Sequence, residues 1–151
     1  MGVDRLRTFL RRHALIALDT SIFIYQIEGN PRYLLLTDHI FSWIEQGHGQ
    51  GVTSTLTMTE LLVQPYRDFD EHRIGEFFGL PSTFPNLQWI APTLEVADLA
   101  ARIRATYRLR TPDALQAATA IHTGATGLIT NDAVFEWLEV FETLVLDRLL
   151  E

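Results

Sequence analysis

Short apolar runs alternate with longer amphipathic segments along this chain of 151 residues. The clearest run is Ala-Leu-Ile-Ala-Leu at 14–18, which ends at Asp19 and is typical of a strand buried on both faces of a sheet. Further strands are predicted at 51–53, 87–91, 128–130 and 144–146. Strands that alternate with helices favour an α/β domain with a mainly parallel sheet.

Helices are predicted between these strands from apolar residues at helical spacing, as in 32–46. The other predicted helices are 20–28, 55–63, 68–78, 93–107 and 111–122, with a further helix within the first twelve residues. We expect one domain over 1–151, made of a core at 14–147 and an N-terminal extension at 1–13.

The residue composition excludes several classes of protein. The chain has no Cys, which excludes a disulfide framework, a thiolate zinc site and a cysteine nucleophile. No apolar run approaches the roughly 18 residues that a membrane span requires. The run at 14–18 is also too short for a signal peptide, although Arg residues precede it. We therefore expect a soluble, cytoplasmic protein.

The charge balance argues against a nucleic-acid binder that relies on a global positive field. Nineteen Asp and Glu residues oppose twelve Arg, and the chain has no Lys, so the formal charge is −7. Binding of nucleic acid would have to rest on bound metal and on local Arg residues. The densest group either contacts a nucleic-acid backbone or forms a solvated helix end, and it consists of Arg102, Arg104, Arg108 and Arg110.

Four acidic residues lie where a parallel sheet would gather them, because ligands bind beyond the carboxyl ends of parallel strands. Asp19 directly follows the first apolar run, and Asp132 follows the run at 128–130. Asp113 lies in the first turn of a predicted helix, and Glu60 lies in the helix after the second strand. We expect these carboxylates to meet at one edge of the sheet.

Neighbouring carboxylates repel each other unless protons or cations neutralise them. At neutral pH a divalent cation is the natural partner, and a ligand set made only of oxygen atoms favours Mg²⁺ or Mn²⁺ over zinc. Such a metal lowers the pKa of a bound water and supports phosphoryl transfer without a His base or a covalent nucleophile. The five His residues have no paired metal-ligand spacing, and we assign them no catalytic role.

Each acid also has a purely structural interpretation. Thr111 is a candidate N-cap for the helix that carries Asp113, with Pro at the first position and an acid near the positive helix end. Asp132 is a candidate cap for a short helix at 133–137. Glu60 alone is an ordinary solvent-facing helix residue. The joint pattern of the acids favours the functional interpretation.

Four segments resemble the motifs of the PIN domain family, in that family's order. They are 17–25 (ALDTSIFIY), 57–62 (TMTELL), 111–120 (TPDALQAATA) and 124–132 (GATGLITND). The last two motifs together, joined by an Ala-rich helix and a Gly-Ala-Thr turn, are the most specific part of the resemblance. The match extends over about 14–147, and in size and architecture the chain is most similar to the VapC-type toxin branch of PIN ribonucleases.

The resemblance implies a three-layer α/β/α fold with a short, mainly parallel sheet. It also implies an Mg²⁺- or Mn²⁺-dependent endoribonuclease that hydrolyses RNA with a metal-activated water, forms a homodimer and is inhibited by a cognate VapB-type antitoxin. The acidic cluster carried over by motif is Asp19, Glu60, Asp113 and Asp132. Asp19 and Asp113 are the expected direct metal ligands, while the other two bind directly or through water. The residues expected to support these ligands or to contact phosphate are Thr20, Ser21, Thr130 and Asn131.

An aromatic-rich segment in the middle of the chain has two interpretations. It contains Phe69, Ile74, Phe77, Phe78, Leu80, Phe84 and Trp89. Either these side chains pack into the core, or part of the segment forms an exposed groove that receives a partner helix. Residues 20–46 are another candidate for that partner surface.

Two other functions remain open on the sequence. A haloacid-dehalogenase-like phosphatase, which depends on Mg²⁺, also places Asp after its first strand, but it needs a second Asp two residues on, where this chain has Ser21. A non-catalytic binding module would keep the fold for partner contacts alone. Metal binding and RNA cleavage that depend on the acidic cluster distinguish the nuclease from both.

Overall fold

Five apolar segments form one sheet in the structure, a computed structural model that describes residues 2–151. The strands are β1 (Leu15–Leu18), β2 (Gln50–Ser54), β3 (Leu87–Ile90), β4 (Gly127–Thr130) and β5 (Glu142–Val145). They lie in the order β3-β2-β1-β4-β5, and each neighbouring pair is parallel. The predicted α/β class with a mainly parallel sheet is confirmed.

Helices join the strands and cover both faces of the sheet, as predicted. The α-helices are α1 (Gly2–Arg11), α2 (Thr20–Glu28), α3 (Leu34–Glu45), α4 (Thr55–Arg67), α5 (Glu71–Ser82), α6 (Leu94–Thr106) and α7 (Thr111–Thr123). Two 3₁₀ helices, Ala133–Trp137 and Leu146–Leu149, flank β5. Among the described residues, no helix has both the length and the apolar character that crossing a membrane requires.

Capping side chains decide where several helices begin. Asp70 accepts a hydrogen bond from the backbone N–H of Arg73, so α5 begins later than the sequence pattern predicts. The expected cap of α7 is wrong, because Thr111 already belongs to the helix and Arg110 occupies the N-cap position. The Thr111 hydroxyl instead accepts a hydrogen bond from Arg104.

The two faces of β1 are both apolar, which explains the continuous run at 14–18. Ile16 and Leu18 belong to the core shared with α1, α2 and α3 on one face of the sheet. Ala17 lies between them and joins Leu128 in the core formed with α6 and α7 on the other face. This alternation follows from the two-residue period of a strand, and it gives the expected three-layer α/β/α arrangement.

Helix α7 lies close to the sheet because the residues that face it are small. Its fully buried positions include Ala114, Ala117, Ala118 and Ala120, and the helix contacts β1 and β2. This packing brings the first turn of α7, with Asp113, to the carboxyl end of β1.

The aromatic-rich segment is divided between the core and the surface. Phe77 is buried, and Phe84 and Trp89 are partly buried against the core of α1, α2 and α3. Phe69 and Leu80 are exposed, Phe69 almost completely. The core interpretation holds for the first group, while the second leaves apolar side chains on the surface.

The N-terminal extension packs on the core as helix α1. Leu6 is fully buried, and Phe9 and Leu10 are nearly so. Directly after the helix, Arg12 and His13 both contact the carboxylate of Glu142 on β5. The extension is therefore held along its buried face and at its C-terminal end.

Replacing Leu6 by Ala is expected to lower the free energy of unfolding by about 2–5 kcal/mol, because a fully buried side chain is lost and a cavity remains. Thr8→Ala, on the exposed side of α1, is the control and is expected to change it by less than about 0.5 kcal/mol. Urea unfolding followed by circular dichroism measures both values. Equal effects of the two variants would contradict the packing of α1.

Candidate functional site

The carboxyl end of β1 lies at the point where the connections of the sheet change direction. The chain passes from β1 to β2 on one side and later returns to β4 on the other. Parallel sheets form a ligand-binding crevice at such a point. Here it is a cavity of about 380 Å³, and the predicted residues that line it are Asp19, Thr20, Ser21, Glu60, Arg110, Asp113, Asn131 and Asp132.

Asp19 is a buried carboxylate held by three hydrogen bonds. It is the N-cap of α2, and its Oδ1 accepts from the Ser21 backbone N–H at 3.1 Å and from Ser21 Oγ at 2.6 Å. Thr130 Oγ1 donates to its Oδ2. Burial nevertheless raises the pKa of Asp19 to about 6, the hydrogen bonds oppose this shift, and the nearby charge of Asp113 adds to it.

Asp113 is the second carboxylate of the cavity whose charged form is disfavoured by burial. Burial raises its pKa, the Arg110 guanidinium 3.3 Å away opposes the shift, and the charge of Asp132 adds to it. Asp132 is exposed and caps the 3₁₀ helix Ala133–Trp137 by accepting a hydrogen bond from the backbone N–H of Val134 at 3.0 Å. Its predicted capping role is thus present together with its place at the cavity.

Glu60 is held at the cavity by a hydroxyl group. Thr20 Oγ1 donates to Glu60 Oε1 at 2.7 Å and lies 3.3 Å from Thr57 Oγ1. Gln116 Nε2 donates to Thr57 Oγ1 at 2.8 Å, and Thr53 Oγ1 lies within hydrogen-bond distance of the same atom. A network of buried polar side chains therefore connects the exposed Glu60 to Gln116 in the N-terminal half of α7.

Thr57 and Gln116 are site residues that the sequence analysis missed. A signal for both exists in the helical spacing: Thr57 precedes Glu60 by three residues on α4, and Gln116 follows Asp113 by three residues on α7. Residues three apart share a helix face, so a polar side chain at that distance from a predicted ligand is a candidate for supporting it.

Asn131 supports the cavity wall with both ends of its amide. Its Nδ2 donates to Tyr25 Oη at 3.0 Å, and its Oδ1 accepts from the backbone N–H of Asp147 at 2.9 Å. Tyr25 in turn stacks on Tyr33, with ring centroids 4.1 Å apart, and burial raises its pKa. Because its polar atoms are engaged, we interpret Asn131 as a structural support of the site.

The four Arg residues predicted as RNA contacts are in different environments. Arg110 lines the cavity and pairs with Asp113. Arg104 donates to the carbonyl of Leu109 in the α6–α7 loop and to the Thr111 hydroxyl, so it holds the two helices together. Arg102 pairs with Asp98 on its own exposed helix face. Arg108 is exposed.

The oxygen ligands that line the cavity suit a hard divalent cation, although the acids are not tightly clustered. Within residues 2–151, no three His, Cys, Asp or Glu side chains lie close enough together to hold a metal ion. Mg²⁺, however, is usually bound by one or two carboxylates and several waters. Asp19 and Asp113 interact electrostatically and both have pKa values raised by burial, so a cation between them would offset the cost of their charges. The residues therefore fit Mg²⁺ or Mn²⁺.

A family model described as PIN domain matches residues 16–139 of the chain. A comparison with curated proteins found no match. The matched residues contain the four acids and most of the fold, but they do not include helix α1.

Several solved structures are similar in fold. VapBC-1 from nontypeable Haemophilus influenzae has a TM-score of 0.67 and 18% identity, over 88% of this chain and 98% of its own. VapBC2 from Rickettsia felis, bound to a DNA fragment from the promoter, has a TM-score of 0.66 and 16% identity, over 87% and 98%. A toxin–antitoxin complex from Klebsiella pneumoniae has a TM-score of 0.65 and 22% identity, over 87% and 97%. At these identities, the likeness shows the fold.

Without divalent metal, the Asp19 carboxyl is expected to make the protein less stable as the pH rises from about 4 to 7. Its pKa is raised from 3.8 to about 6, so in this window the folded chain binds more protons than the unfolded chain. The loss begins above the unfolded pKa, is complete above the folded pKa, and amounts to about 3 kcal/mol.

Urea unfolding in EDTA at several pH values, for wild type and Asp19→Asn, measures this effect. Carboxylates with lowered pKa values, such as Glu142 and Asp147, change stability in the opposite direction, so the difference between the two proteins is the informative quantity. We expect the stability of the variant relative to wild type to increase with pH. A difference that does not change with pH would contradict the prediction.

Proposed function

The chain belongs to the PIN domain family, and on that basis we propose that it is an Mg²⁺- or Mn²⁺-dependent endoribonuclease of the VapC-like toxin class. The observation that carries the proposal is the cavity at the end of β1, which is lined by Asp19, Glu60, Asp113 and Asp132. Two of these acids have pKa values that burial raises, which is typical of groups that await a cation or a proton.

Asp19 and Asp113 would hold the metal, and Asp132 and Glu60 would bind it through water or orient the attacking water. When bound, the metal lowers the pKa of a coordinated water and stabilises the charge that develops on the phosphate. In the hydrolysis, a bond forms between the water oxygen and phosphorus, and the bond between phosphorus and the 3′ oxygen breaks. The products are a 5′-phosphate and a 3′-hydroxyl.

The side chains around the acids would keep them in position for this reaction. Ser21 and Thr130 together hold both oxygens of Asp19, so this carboxylate is oriented before a metal binds. The hydroxyl of Thr20 orients Glu60 in the same way. Arg110 is exposed and adjacent to Asp113, and it would supply positive charge for a phosphate of the RNA.

A VapB-type antitoxin is the proposed protein partner. Support comes from the similar solved structures, which include VapBC complexes. The surface proposed for it is an apolar groove of about 250 Å³ between α2, α3 and α5, lined by Phe23, Gln26, Ile27, Phe41, Leu80, Pro81 and Phe84. The homodimer and the cytoplasmic location remain predictions.

Asp19→Asn and Asp113→Asn are each expected to reduce RNA cleavage by about 100-fold or more, because each removes a charged metal ligand. The assay follows a labelled RNA with Mg²⁺ or Mn²⁺ and with EDTA. Asp98→Asn, an exposed carboxylate on α6, is the matched control and is expected to cleave like wild type. Metal-free cleavage by the folded double variant Asp19→Asn/Asp113→Asn would contradict the proposal.

Leu80→Arg is expected to weaken antitoxin binding by about tenfold or more, because it places a charge in the apolar groove. The partner to use is the cognate VapB-type antitoxin, and titration calorimetry gives the affinity. Leu94→Arg makes the same change at an equally apolar and 91% exposed position on α6, and its affinity should match wild type. Equal losses in both variants would contradict docking in this groove.

A further inference from the structure

A second cavity, of about 690 Å³, lies between α1 and α3, at the edge of the sheet opposite to the acids. Arg7 and Arg11 of α1 form one wall, and residues of α3 form another. The cavity also reaches His13 and His48, which precede β1 and β2, whereas the acids follow the strands. At about 3.3 Å per strand residue, the two cavities are separated by roughly 20 Å.

The cavity is lined by cationic and aromatic side chains and by no acid. Its titratable lining residues are Arg7, Arg11, His13, His39 and His48. Arg7 and Arg11 are exposed, and neither forms an ion pair with another residue of the range 2–151. Most other Arg residues are paired with acids, namely Arg12, Arg32, Arg73, Arg102, Arg110 and Arg148. Two guanidinium groups are therefore available to an external anion.

The positive charge of this region contrasts with the rest of the chain. Residues 1–13 contain four Arg and one Asp, which gives +3, and the remaining residues contain eight Arg and eighteen acids, which gives −10. This asymmetry favours a polyanionic ligand and indicates nucleic acid in particular. The extension also lies before the residues that match the family model, which begin at 16, so the wall of the cavity that Arg7 and Arg11 form lies outside the matched part of the chain.

The wall that Arg7 and Arg11 form is held in place because α1 packs against the core. Leu6 and Leu10 bury one side of the helix, and Gly2 lies so close to the carbonyl of Leu149 that a Cβ there would be 2.5 Å from its oxygen. Arg7 and Arg11 are four residues apart and thus neighbours on one helix face. An anion meets two guanidinium groups that are already on the same side of an ordered helix.

The aromatic rings of the cavity favour RNA over other polyanions. Trp43 and His39 of α3 line it, together with His48, and unpaired bases stack on such rings while Arg residues contact the backbone. We propose that this cavity is a second RNA-binding site, which holds backbone phosphates with Arg7 and Arg11. This rests on the RNA substrate of the proposed function, and it means that RNA long enough to reach both cavities binds more tightly than a short one.

The test measures the affinity of RNA for the full chain in which Asp113→Asn prevents cleavage. The probes are an oligouridylate of about 30 nucleotides and a trinucleotide that is too short to reach both cavities. In fluorescence anisotropy, Arg7→Gln/Arg11→Gln is expected to weaken binding of the long RNA by about tenfold. The slope of log affinity against log salt should fall by about 1.4, since each lost phosphate contact removes about 0.7. The affinity for the trinucleotide, which cannot occupy both cavities at once, should fall by a smaller factor than the affinity for the long RNA.

Matched variants separate this site from a general charge effect and from misfolding. Arg32→Gln/Arg67→Gln removes the same charge from exposed Arg residues that do not line the cavity, and it should bind like the parent. Arg7→Lys/Arg11→Lys should regain most of the affinity, because it restores the charge. Equal binding by the Arg7→Gln/Arg11→Gln variant and the Arg32→Gln/Arg67→Gln control overturns the proposal. Loss of polyglutamate binding with unchanged RNA binding overturns it in favour of an acidic protein segment.

The proposed function fails separately from this site. If wild type does not cleave RNA with Mg²⁺ or Mn²⁺, but Arg7→Gln/Arg11→Gln still weakens binding of the long RNA, the nuclease proposal is wrong and the second binding site stands. If wild type cleaves RNA and the Arg7→Gln/Arg11→Gln variant binds the long RNA as tightly as its control, the nuclease proposal stands and the second binding site is wrong.

Discussion

The burial of Asp19 is the constraint on which the site depends. Strand β1 has a strand on each side and helices on both faces, so its residues are apolar and the chain leaves it inside the protein. The first polar side chain after it must therefore find its partners in the protein. Ser21 and Thr130 provide hydrogen bonds, yet the pKa of Asp19 is still raised to about 6. The fold thus disfavours the charged form of Asp19 at the carboxyl end of β1. A cation bound between Asp19 and Asp113 would stabilise that charged form.

The structural and functional interpretations of the acids describe the same geometry. Asp19 caps α2, Asp132 caps a 3₁₀ helix, and Asp113 lies in the first turn of α7. In a parallel sheet each strand is followed by a helix that starts at the carboxyl edge, so helix starts gather where ligands bind. A capping carboxylate uses one oxygen for a backbone N–H and points the other in a direction that the cap fixes. Capping therefore orients Asp19 and Asp132, two of the acids that a metal would need.

The sequence predicts the strands and the acids because both depend on local pattern. A buried parallel strand needs an uninterrupted apolar run, and Asp19 directly follows one such run while Asp132 lies two residues after another. The network of Thr57 and Gln116 was missed because helical spacing marks such polar side chains only as candidates, and only the packing of α7 on β2 brings the two together. The cavity beside Arg7 and Arg11 was missed for the same reason. It exists only because α1 docks against α3, which residue spacing within α1 does not encode.

The net charge of −7 is a poor guide to what this chain binds, because charge acts locally in salt solution. At physiological ionic strength the field of an exposed charge decays over about 8 Å. The acids at the end of β1 and the Arg residues of α1 are separated by more than two such lengths, roughly 20 Å along the strand. The acids therefore do not cancel the attraction that Arg7 and Arg11 exert on a phosphate. In the two proposals, the acids at one end of the sheet would hold a metal, while Arg7 and Arg11 at the other end would bind the backbone of the same RNA.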